Sequence, residues 1–575
     1  MNLEPQVEGE TEFYRVYGPP GTGKTTFLGK QARKWAGEYG SDSILIASFT
    51  RAAAIEIAGR NLPLDKKQIG TLHAHAYRAL GHPQIVQRGH YSHWNEEHPE
   101  FRLDRFASGD RVEDAGAGYA FVVEGATSGD EVMAQIEMLR ARRTPEELWP
   151  IEAAEMHKTW SEWKRGNDLW DFSDLIEVAI DNDVPPPSNA DIMICDEAQD
   201  FTRLEMDLVR LWSKRMTKVM LAGDDDQAIY GFRGGDHRAM LALGDGAGHQ
   251  KILPQSYRVP VAVHRSANQW IHQVSDRVEK DYFPTQRVGN VTHDPGGDFE
   301  NVISIVKTIE EQLAQPDPDD FVADEDKKDP KVMVLASCAY MLGPLIGFLK
   351  EVGIPWYNPY RLEDNRWNPF KRGDSKKISS LDRVLAFLRP HHQVWGDLAR
   401  QWTYGDLQKW IKDIDGTGIM LRGAKARIGR FPEMETCNWS MEMDELFNPM
   451  WDADEWDRLR GADITWFAEH ILDSRRAKYA LPLRVAQNDL RLLTRQPEVC
   501  VGTIHSVKGA QARFVHILPD ISDQGMRSWM DVDTRDETVR LFYVAMTRAW
   551  ESVTVWQPAS WRHIPGADLV GGSES

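Results

Sequence analysis

The chain has 575 residues, and at about 100 to 200 residues per domain this length predicts about three to five domains and excludes a single small binding module. Hydrophobic residues make up 41% and charged residues 27% of the sequence, which is typical of a globular protein and excludes a disordered or fibrous one. The net charge of −20 excludes a chain-wide basic field, so a polyanionic partner would have to bind in a local groove.

Short apolar runs alternate with helical stretches in two parts of the chain. In the first part, runs bounded by Gly, Pro or polar residues predict buried parallel strands at 13–17, 43–48, 192–195 and 218–222, with helices at 26–39 and 52–60. In the second part, strands are predicted at 332–336, 499–503, 515–518 and 552–556, with helices at 342–352 and 537–550. This alternation predicts an α/β protein with two sheets.

Each predicted sheet is interrupted by a long segment of different composition. Between 75 and 170 the sequence turns polar, with a Gly- and Asp-rich patch at 108–130 and an amphipathic helix predicted at 129–165. The segment 362–497 carries many of the 21 tryptophans, including Trp395, Trp402, Trp410, Trp439, Trp451, Trp456 and Trp466. We predict two inserted, mainly helical subdomains. We expect the tryptophans to pack between helices, because no metal-ligand spacing or catalytic dyad accompanies them.

Cysteine usage and hydropathy indicate the compartment. The four cysteines, Cys195, Cys338, Cys437 and Cys500, form no CxxC pair, which argues against a disulfide framework, a zinc site or an iron–sulfur cluster. The N-terminal residues are acidic, and no run reaches the roughly 18 apolar residues that a membrane span needs. We therefore expect a cytoplasmic protein without a membrane anchor.

A glycine-rich string directly follows the first predicted strand and precedes the first predicted helix. The string GPPGTGKTT matches the phosphate-binding loop pattern and comprises Gly18, Pro19, Pro20, Gly21, Thr22, Gly23, Lys24, Thr25 and Thr26. Backbone N–H groups of such a loop cradle phosphates, while Lys24 would reach the outer phosphates and Thr25 would ligate Mg²⁺. A chance glycine-rich turn is the alternative, and the strand and helix on either side disfavour it.

Two adjacent carboxylates follow the strand predicted at 192–195. Asp196 at the strand tip suits a contact with Mg²⁺ through the water shell of the ion, and Glu197 suits the orientation or deprotonation of an attacking water. Taken alone, an acidic pair at a strand end is usually a solvated turn. In the same predicted sheet as the phosphate-binding loop, the pair predicts a site of nucleotide hydrolysis.

Six further strings carry a family resemblance. LAGDDDQAIYGFRGG at 221–235 resembles the third motif of superfamily 1A helicases of the UvrD, PcrA and Rep type. Five others resemble motifs Ia, Ib, IV, V and VI of that family: SFTRAAA at 48–54, GTLHAHA at 70–76, LPQSYRVP at 253–260, TIHSVKGAQ at 503–511 and RLFYVAMTRA at 540–549. With the two nucleotide motifs these make eight matches in the family's order, which chance does not supply.

The resemblance implies a fold, a division of the chain and a set of ligands. The fold is α/β, with two RecA-like P-loop motor domains that are each interrupted by an inserted, mainly helical subdomain. The first motor domain would comprise 1–74 and 171–252, with the insert 75–170. The second would comprise 253–361 and 498–575, with the insert 362–497. The implied cofactors are ATP and Mg²⁺, and the implied partners are single-stranded DNA and junctions between single- and double-stranded DNA.

The resemblance also implies roles for residues around the nucleotide. Gln227 would contact the γ-phosphate and couple it to the DNA site, and Tyr257 would stack on adenine. Arg258 and Arg548 would act as arginine fingers, since two guanidinium groups that enter a phosphate site stabilise transition-state charge. The expected catalytic residues are therefore Lys24, Glu197, Gln227, Arg258 and Arg548.

Six positions match residues that lie at or near single-stranded DNA in the family: Phe49, Thr50, His73, Tyr230, Phe232 and His505. Aromatic faces stack on bases without reading their sequence. For Phe49, His73 and His505, a place in a packed core is the alternative. Phe232 stands where the family usually has a Trp, within the glycine-flanked segment YGFRGG, which suits an exposed ring.

Three departures from the family concern the nucleotide base and ribose. Gln6 lies only 12 residues before Gly18, so no convincing glutamine motif precedes the phosphate-binding loop. Thr26 stands where the family often has an Arg that packs on adenine, and Gln511 stands where it often has a carboxylate that contacts ribose. Together these differences predict looser base selectivity, with other nucleoside triphosphates as further fuels.

The sequence thus predicts an ATP-dependent DNA helicase or translocase that moves 3′ to 5′ on single-stranded DNA and unwinds duplex DNA. The nearest alternative is a DNA-stimulated ATPase that translocates and remodels protein–DNA complexes without processive unwinding. A scaffold with an inactive nucleotide site is a third, and the intact Lys24, Glu197 and Gln227 argue against it. The pathway, any loading protein and the oligomeric state are left open by the sequence.

Overall fold

The computed structural model describes most of the chain, namely residues 11–104, 128–243, 249–293, 296–316, 329–359, 367–373, 377–434, 436, 446–447, 452–532 and 534–570. The chain divides into two compact units. The first unit comprises Met1–Pro295, Leu335–Ala339 and Thr503–Ser575, and the second comprises Gly296–Val334 and Tyr340–Gly502. All but the end of the Gly- and Asp-rich patch lies outside the described residues, as do Trp439, Trp451 and Cys437. None of the described helices combines the length and apolar character that a membrane crossing needs.

Six parallel strands form the first sheet, in the order β3-β2-β4-β5-β1-β6. The strands are β1 (Glu12–Tyr17), β2 (Ile44–Ser48), β3 (Ile69–Gly70), β4 (Ile192–Asp196), β5 (Lys218–Gly223) and β6 (His249–Ile252). The four strands predicted from apolar runs are confirmed and occupy the centre of the sheet. The sequence does not predict β3 and β6, because β3 has two residues and β6 is an exposed HQKI edge without an apolar run.

The central strands of the first sheet are buried on both faces, and their alternate residues pack in two separate hydrophobic cores. On one face, Ile44 and Ile194 pack with Trp35 of the helix that follows β1. On the other face, Leu45 packs in a cluster with Trp212. Burial on both sides explains why these strands read as continuous apolar runs.

The described helices of the first unit lie in two stretches of the chain, before residue 272 and after residue 522. They are Lys24–Tyr39, Arg51–Ala58, Leu72–Ala79, Arg88–Glu97, Ser128–Ala141, Ile151–Gly166, Phe172–Asp181, Arg203–Ser213, His237–Ala242, Val261–Ile271, Asp523–Met530, Arg535–Met546 and Gly566–Leu569. The helices predicted at 26–39 and 52–60 are confirmed with small shifts at their ends.

Two predicted helices differ from the structure. The single helix predicted at 129–165 is wrong, because one helix ends at Ala141 and a second begins at Ile151. Pro145 and Pro150 lie between them, and proline disfavours a continuous helix because it lacks the N–H group and restricts the residue before it. The helix predicted at 537–550 ends earlier, at Met546, and the remaining apolar residues open a strand.

The second predicted sheet is also present, with six strands in the order β7-β12-β11-β8-β10-β9. Its strands are β7 (Asn290–His293), β8 (Val332–Ala336), β9 (Trp356–Tyr357), β10 (Val499–Thr503), β11 (Ala512–Ile517) and β12 (Ala549–Val555). Strand β12 pairs in parallel with β7 and β11, and β10 pairs in parallel with β9. The strands predicted at 332–336 and 499–503 are confirmed to the residue, whereas β11 and β12 begin earlier than predicted. The α/β class with two parallel sheets is therefore confirmed.

The described helices of the second unit are Ile303–Ala314, Gly343–Val352, Ser380–Phe387, His392–Trp395, Tyr404–Trp410, Ala424–Ile428, Ala453–Arg460, Ile464–Glu469 and Asp473–Asn488. Several tryptophans are buried between them, as the sequence predicts. The Phe387 ring lies 5.2 Å from that of Trp410 and 6.0 Å from that of Trp466, and Trp402 donates its Nε1–H to the Phe387 carbonyl at 2.7 Å.

Candidate functional site

The loop between β1 and the first helix lies at the carboxyl edge of the first sheet. Gly21 and Gly23 have φ angles of 73° and 77°, a region that glycine enters without steric cost. Gly18 donates its N–H to the carbonyl of Gly223 at 2.9 Å, which ties the loop to the end of β5. A Cβ atom on Gly18 would lie 2.8 Å from Cβ of Lys24, so the loop wraps closely around that side chain. This is the conformation that a phosphate-binding loop needs.

The Lys24 side chain meets the two carboxylates at the end of β4. Its Nζ lies 2.5 Å from Oε1 of Glu197 and 3.7 Å from Oδ1 of Asp196. Burial alone would lower the pKa of Lys24, but the carboxylates of Glu197 and Asp196 raise it above its usual value. Burial alone would likewise raise the pKa of Glu197, but the ammonium groups of Lys24 and Lys508 hold it well below its usual range. Lys24 and Glu197 are therefore both charged at neutral pH.

Glu197 has an uncommon backbone conformation. Its φ of 54° and ψ of 37° place it in the left-handed region, where a residue other than glycine is strained. Its N–H donates to Oδ1 of Asp196 at 3.0 Å, and its Oε2 accepts a hydrogen bond from Nε2 of Gln199 at 2.6 Å. Oε1 of Gln199 in turn accepts from the N–H of Asp224 at 3.1 Å. The turn after β4 thus fixes Glu197 and connects it to the segment after β5.

Lys508 is a site residue that the sequence analysis does not single out. Its Nζ pairs with the carboxylate of Asp200, donates to the carbonyl of Gln227 at 2.7 Å and lies 3.8 Å from Oε2 of Glu197. Burial raises the pKa of Asp200 to about 6, and Lys508 opposes that rise. The one signal in the sequence is that Lys508 is the only Lys or Arg in the string TIHSVKGAQ.

Gln227 lies between an aspartate and an arginine. Its Nε2 donates to Oδ2 of Asp224 at 2.7 Å, and its Oε1 accepts from Nη2 of Arg548 at 3.0 Å. Arg548 is 1% exposed and also donates to the carbonyls of Ala510 and Val544. Two of the expected catalytic residues therefore contact each other, in the same unit as Lys24.

The string LPQSYRVP packs against the phosphate-binding loop through its backbone and side chains. The N–H of Tyr257 donates to the carbonyl of Gly21 at 2.9 Å, and Oγ of Ser256 donates to the carbonyl of Pro20 at 2.8 Å. The Tyr257 side chain is 76% exposed, and its ring would lie 4.0 Å from a Cβ atom on Gly23. An exposed ring beside a phosphate-binding loop has the geometry to stack on a nucleotide base.

Gln511 and Thr26, two of the residues that differ from the family pattern, each accept a hydrogen bond from an arginine. Oε1 of Gln511 accepts a hydrogen bond from Nε of Arg258 at 2.9 Å, so this amide contacts one of the expected arginine fingers. Oγ1 of Thr26 accepts from Nη1 of Arg60 at 2.9 Å. A guanidinium group therefore reaches the Thr26 position from a different part of the chain.

Thr25 and Asp196 have the oxygen donors expected of a Mg²⁺ site. Thr25 lies in the first turn of the first helix, and Asp196, which is 2% exposed, ends β4. Protein sites for Mg²⁺ beside phosphates usually supply one or two oxygen ligands, while phosphates and water supply the rest. Across the part of the chain that the structure describes, no group of three or more His, Cys, Asp or Glu side chains could hold a metal ion. The donors at Thr25 and Asp196 fit a metal ion that is shared with a nucleotide.

Four of the six residues expected at DNA form an aromatic cluster: Phe49, Tyr230, Phe232 and His505. The ring centroids of Phe49 and Tyr230 lie 5.0 Å apart, and those of Phe232 and His505 lie 5.2 Å apart at 90°. The hydroxyl of Tyr230 donates to the carbonyl of His505 at 3.2 Å. Nζ of Lys508 lies 5.2 Å from the Tyr230 ring centroid, so the aromatic cluster shares this lysine with the carboxylates of the nucleotide site.

Thr50 and His73 make other contacts. Oγ1 of Thr50 accepts from the N–H of Ala53 at 3.1 Å and caps the helix Arg51–Ala58. Nδ1 of His73 lies 3.5 Å from Oε1 of Glu205, and burial lowers the pKa of His73. The structure gives Thr50 a local capping role and does not bring His73 into the aromatic cluster.

Comparison with known proteins matches this chain to one family model and to several curated relatives. Residues 5–246 match the model of the UvrD/REP helicase N-terminal domain. The chain is 26% identical over 313 residues to the ATP-dependent DNA helicase srs2 of Schizosaccharomyces pombe. This alignment covers 48% of this chain and 34% of that protein. It is 27% identical over 262 residues to the ATP-dependent DNA helicase UvrD2 of Mycobacterium tuberculosis, which covers 39% of this chain and 36% of that protein. It is 29% identical over 136 residues to the ATP-dependent DNA helicase PcrA of Staphylococcus epidermidis, which covers 22% and 19%.

The matched regions are partial. The chain spans about a third of the length of the first two relatives. The aligned similarity therefore supports membership of a family more directly than it supports the activity of a whole protein.

Proposed function

Because this chain belongs to the UvrD, PcrA and Rep type of superfamily 1 helicases, we propose that it is an ATP-dependent DNA helicase or translocase that moves 3′ to 5′ on single-stranded DNA and unwinds duplex DNA. One observation supports this most. The side chain of Gln227 accepts a hydrogen bond from Arg548, and the backbone carbonyl of Gln227 accepts one from Lys508. Nζ of Lys508 also lies 5.2 Å from the centroid of the Tyr230 ring. A site suited to phosphates and a surface suited to bases are therefore continuous within one compact unit.

In the proposed reaction, the residues at the end of β4 exchange partners when ATP binds. Lys24, which lies 2.5 Å from Glu197, would turn to the outer phosphates and leave the Glu197 carboxylate to orient and deprotonate the attacking water. Loss of this neighbour makes Glu197 more basic, because Lys24 is the stronger of the two cations that lower its pKa. Bound Mg²⁺, held by Thr25 and Asp196, would supply neutralisation of the phosphate charge.

Arginine and glutamine side chains would act on the transferred phosphoryl group. Arg258 and Arg548 would stabilise its transition-state charge, and Gln227 would report its presence to the aromatic cluster. Tyr257 would stack on the base. The departures at the base and ribose positions favour weak discrimination among nucleoside triphosphates, so we include fuels other than ATP in the proposal.

The DNA track and the division of the chain are part of the same proposal. The aromatic cluster would stack on bases of single-stranded DNA. The two RecA-like motor domains would be 1–74 with 171–252 and 253–361 with 498–575, and the inserts would be 75–170 and 362–497. A cytoplasmic location fits the buried thiols of Cys195, Cys338 and Cys500.

The alternative within the same family is an ATPase that translocates and remodels protein–DNA complexes without processive unwinding. A strand-displacement assay separates the two. Duplexes of equal length that carry a 3′ or a 5′ single-stranded tail are incubated with ATP and Mg²⁺, with Lys24→Ala as the inactive control. We expect the wild type to displace the strand of the 3′-tailed duplex and not that of the 5′-tailed duplex. We expect no displacement by Lys24→Ala. A requirement for a 5′ tail contradicts the proposed polarity, and DNA-stimulated hydrolysis without displacement supports the alternative.

A further inference from the structure

Three consecutive aspartates precede Gln227, and all of them are buried. Asp224, Asp225 and Asp226 are 0%, 0% and 2% exposed. Buried carboxylates are costly unless cations or hydrogen-bond donors compensate them. Arg277 compensates Asp226 with two hydrogen bonds, from Nε at 2.9 Å and from Nη2 at 2.7 Å.

Lys280 lies at the centre of the three aspartates. Its side chain is 1% exposed, and its Nζ lies 2.6 Å from Oδ1 of Asp225, 3.0 Å from Oδ2 of Asp226 and 3.3 Å from Oδ1 of Asp224. Its Nζ also donates to the carbonyl of Val278 at 3.0 Å. None of the strings that resemble helicase motifs contains this lysine.

Asp224 uses its other oxygen to orient Gln227. Oδ2 of Asp224 accepts from Nε2 of Gln227 at 2.7 Å, which turns the amide oxygen toward Nη2 of Arg548 at 3.0 Å. A carboxylate can only accept and a guanidinium can only donate, so this pair of neighbours permits one orientation of the amide. A protonated Asp224 would be a weaker acceptor, and its hydroxyl would compete as a donor, so the amide would be held less firmly and chiefly by Arg548.

The charge of Lys280 opposes that protonation. Burial raises the pKa of Asp224 to about 6, and Lys280 is the strongest influence against the rise, whereas Asp226 and Asp225 add to it. Without the ammonium group of Lys280, burial and the carboxylates of Asp225 and Asp226 would all raise the pKa of Asp224. The protonated form of Asp224 would then extend toward neutral pH.

We propose that Lys280 is a positioning residue of the nucleotide site, which acts through Asp224 to hold the Gln227 amide with its oxygen toward Arg548. The inference rests on the proposed function, because it assigns Lys280 a part in ATP hydrolysis. Lys280 would affect the chemical step and leave the phosphate-binding loop unchanged.

Steady-state ATP hydrolysis by the whole 575-residue chain tests this role. Lys280→Met should lower kcat by about tenfold or more, the scale of one charge-assisted hydrogen bond, while KM for ATP stays within about twofold. The variant Lys280→Met with Asp225→Asn restores the net charge of the buried group, so it should melt at a temperature near that of the wild type. It should regain part of the lost kcat, because Asp225 also raises the pKa of Asp224. Lys164→Met is the matched control, since Lys164 is 4% exposed and pairs with Asp171 and Asp174 outside the site. It should lose stability and keep kcat.

A double-mutant cycle separates positioning from a general structural effect. In an Asp224→Asn background the fixed acceptor is already lost, so Lys280→Met should lower kcat by less than about twofold further. A full tenfold loss in that background overturns the inference, and so does a wild-type kcat in Lys280→Met itself. If the wild type itself hydrolyses no ATP, the proposed function fails. If Glu197→Gln abolishes turnover while the Lys280 variants keep it, only the role of Lys280 fails.

Discussion

Arg548 is the residue whose proposed role depends most on its surroundings. It is 1% exposed and donates to Gln227 and to two backbone carbonyls, so its guanidinium group is held in one place. A pre-positioned cation that acts on transition-state charge affects turnover more than substrate binding.

We expect Arg548→Ala to lower kcat for ATP by about 10³ or more, the scale of an arginine finger, with little change in nucleotide affinity. Steady-state hydrolysis and binding of a fluorescent nucleotide measure the two quantities separately. Arg513→Ala is the control, because Arg513 is also buried and is paired with Glu551 at 2.6 Å. Equal losses in affinity and turnover would assign Arg548 to ground-state binding instead.

Individual site residues differ in how far the sequence reveals them. Lys24 and Glu197 stand in short local patterns whose chemistry is legible from neighbouring residues alone. Lys508 contacts Asp200 across 308 positions, and Lys280 contacts Asp225 across 55. Such pairs depend on how the chain folds back on itself, and no local pattern encodes them.

At the scale of elements, the segment after β5 connects the nucleotide site to the aromatic cluster. Gln227 lies at one end of this segment. Phe232 lies at the other end, in the short turn Gly231–Arg233. The Phe232 ring lies 5.2 Å from that of His505 and 6.0 Å from that of Tyr230. A shift of Gln227 on hydrolysis would therefore be transmitted to a ring suited to stacking on a base.

We expect Phe232→Ala to weaken single-stranded DNA binding by about 1 to 3 kcal/mol, the value of one stacked base, and to slow strand displacement sharply. ATP hydrolysis at saturating DNA should largely survive, because the phosphate site is unchanged. Trp561→Ala is the control, since Trp561 is an exposed ring outside the aromatic cluster. A Phe232→Ala variant that displaces strands at the wild-type rate would show that Phe232 packs and does not grip DNA.

Secondary structure is predictable here where burial and local sequence agree. The central strands of the first sheet are apolar on both faces, so their runs stand out, whereas the exposed edge strand β6 carries no apolar run. Helix ends are harder, because the apolar residues after Met546 suit a helix or a strand equally and the pairing of β12 with β11 decides between them. Pro150 was a local signal strong enough to have divided the helix predicted at 129–165.

For the whole molecule, charge sets a limit on DNA binding. A chain with a net charge of −20 gains no general attraction for a polyanion, so contacts must come from local surfaces such as the aromatic cluster. The α/β class and the two sheets follow from the order of apolar runs. The division into two compact units does not, because it depends on contacts between segments far apart in the chain.

We propose that this chain couples ATP hydrolysis to the binding of single-stranded DNA through one continuous site. The most direct measurement is the rate of ATP hydrolysis with and without single-stranded DNA, for the wild type and for Glu197→Gln, alongside nucleotide binding by both. We predict that DNA stimulates hydrolysis by the wild type, and that Glu197→Gln binds nucleotide but loses turnover, because the attacking water has no base. A wild-type rate that does not respond to single-stranded DNA would show that hydrolysis is not coupled to DNA. Near-normal DNA-stimulated turnover by Glu197→Gln would show that Glu197 is not the base.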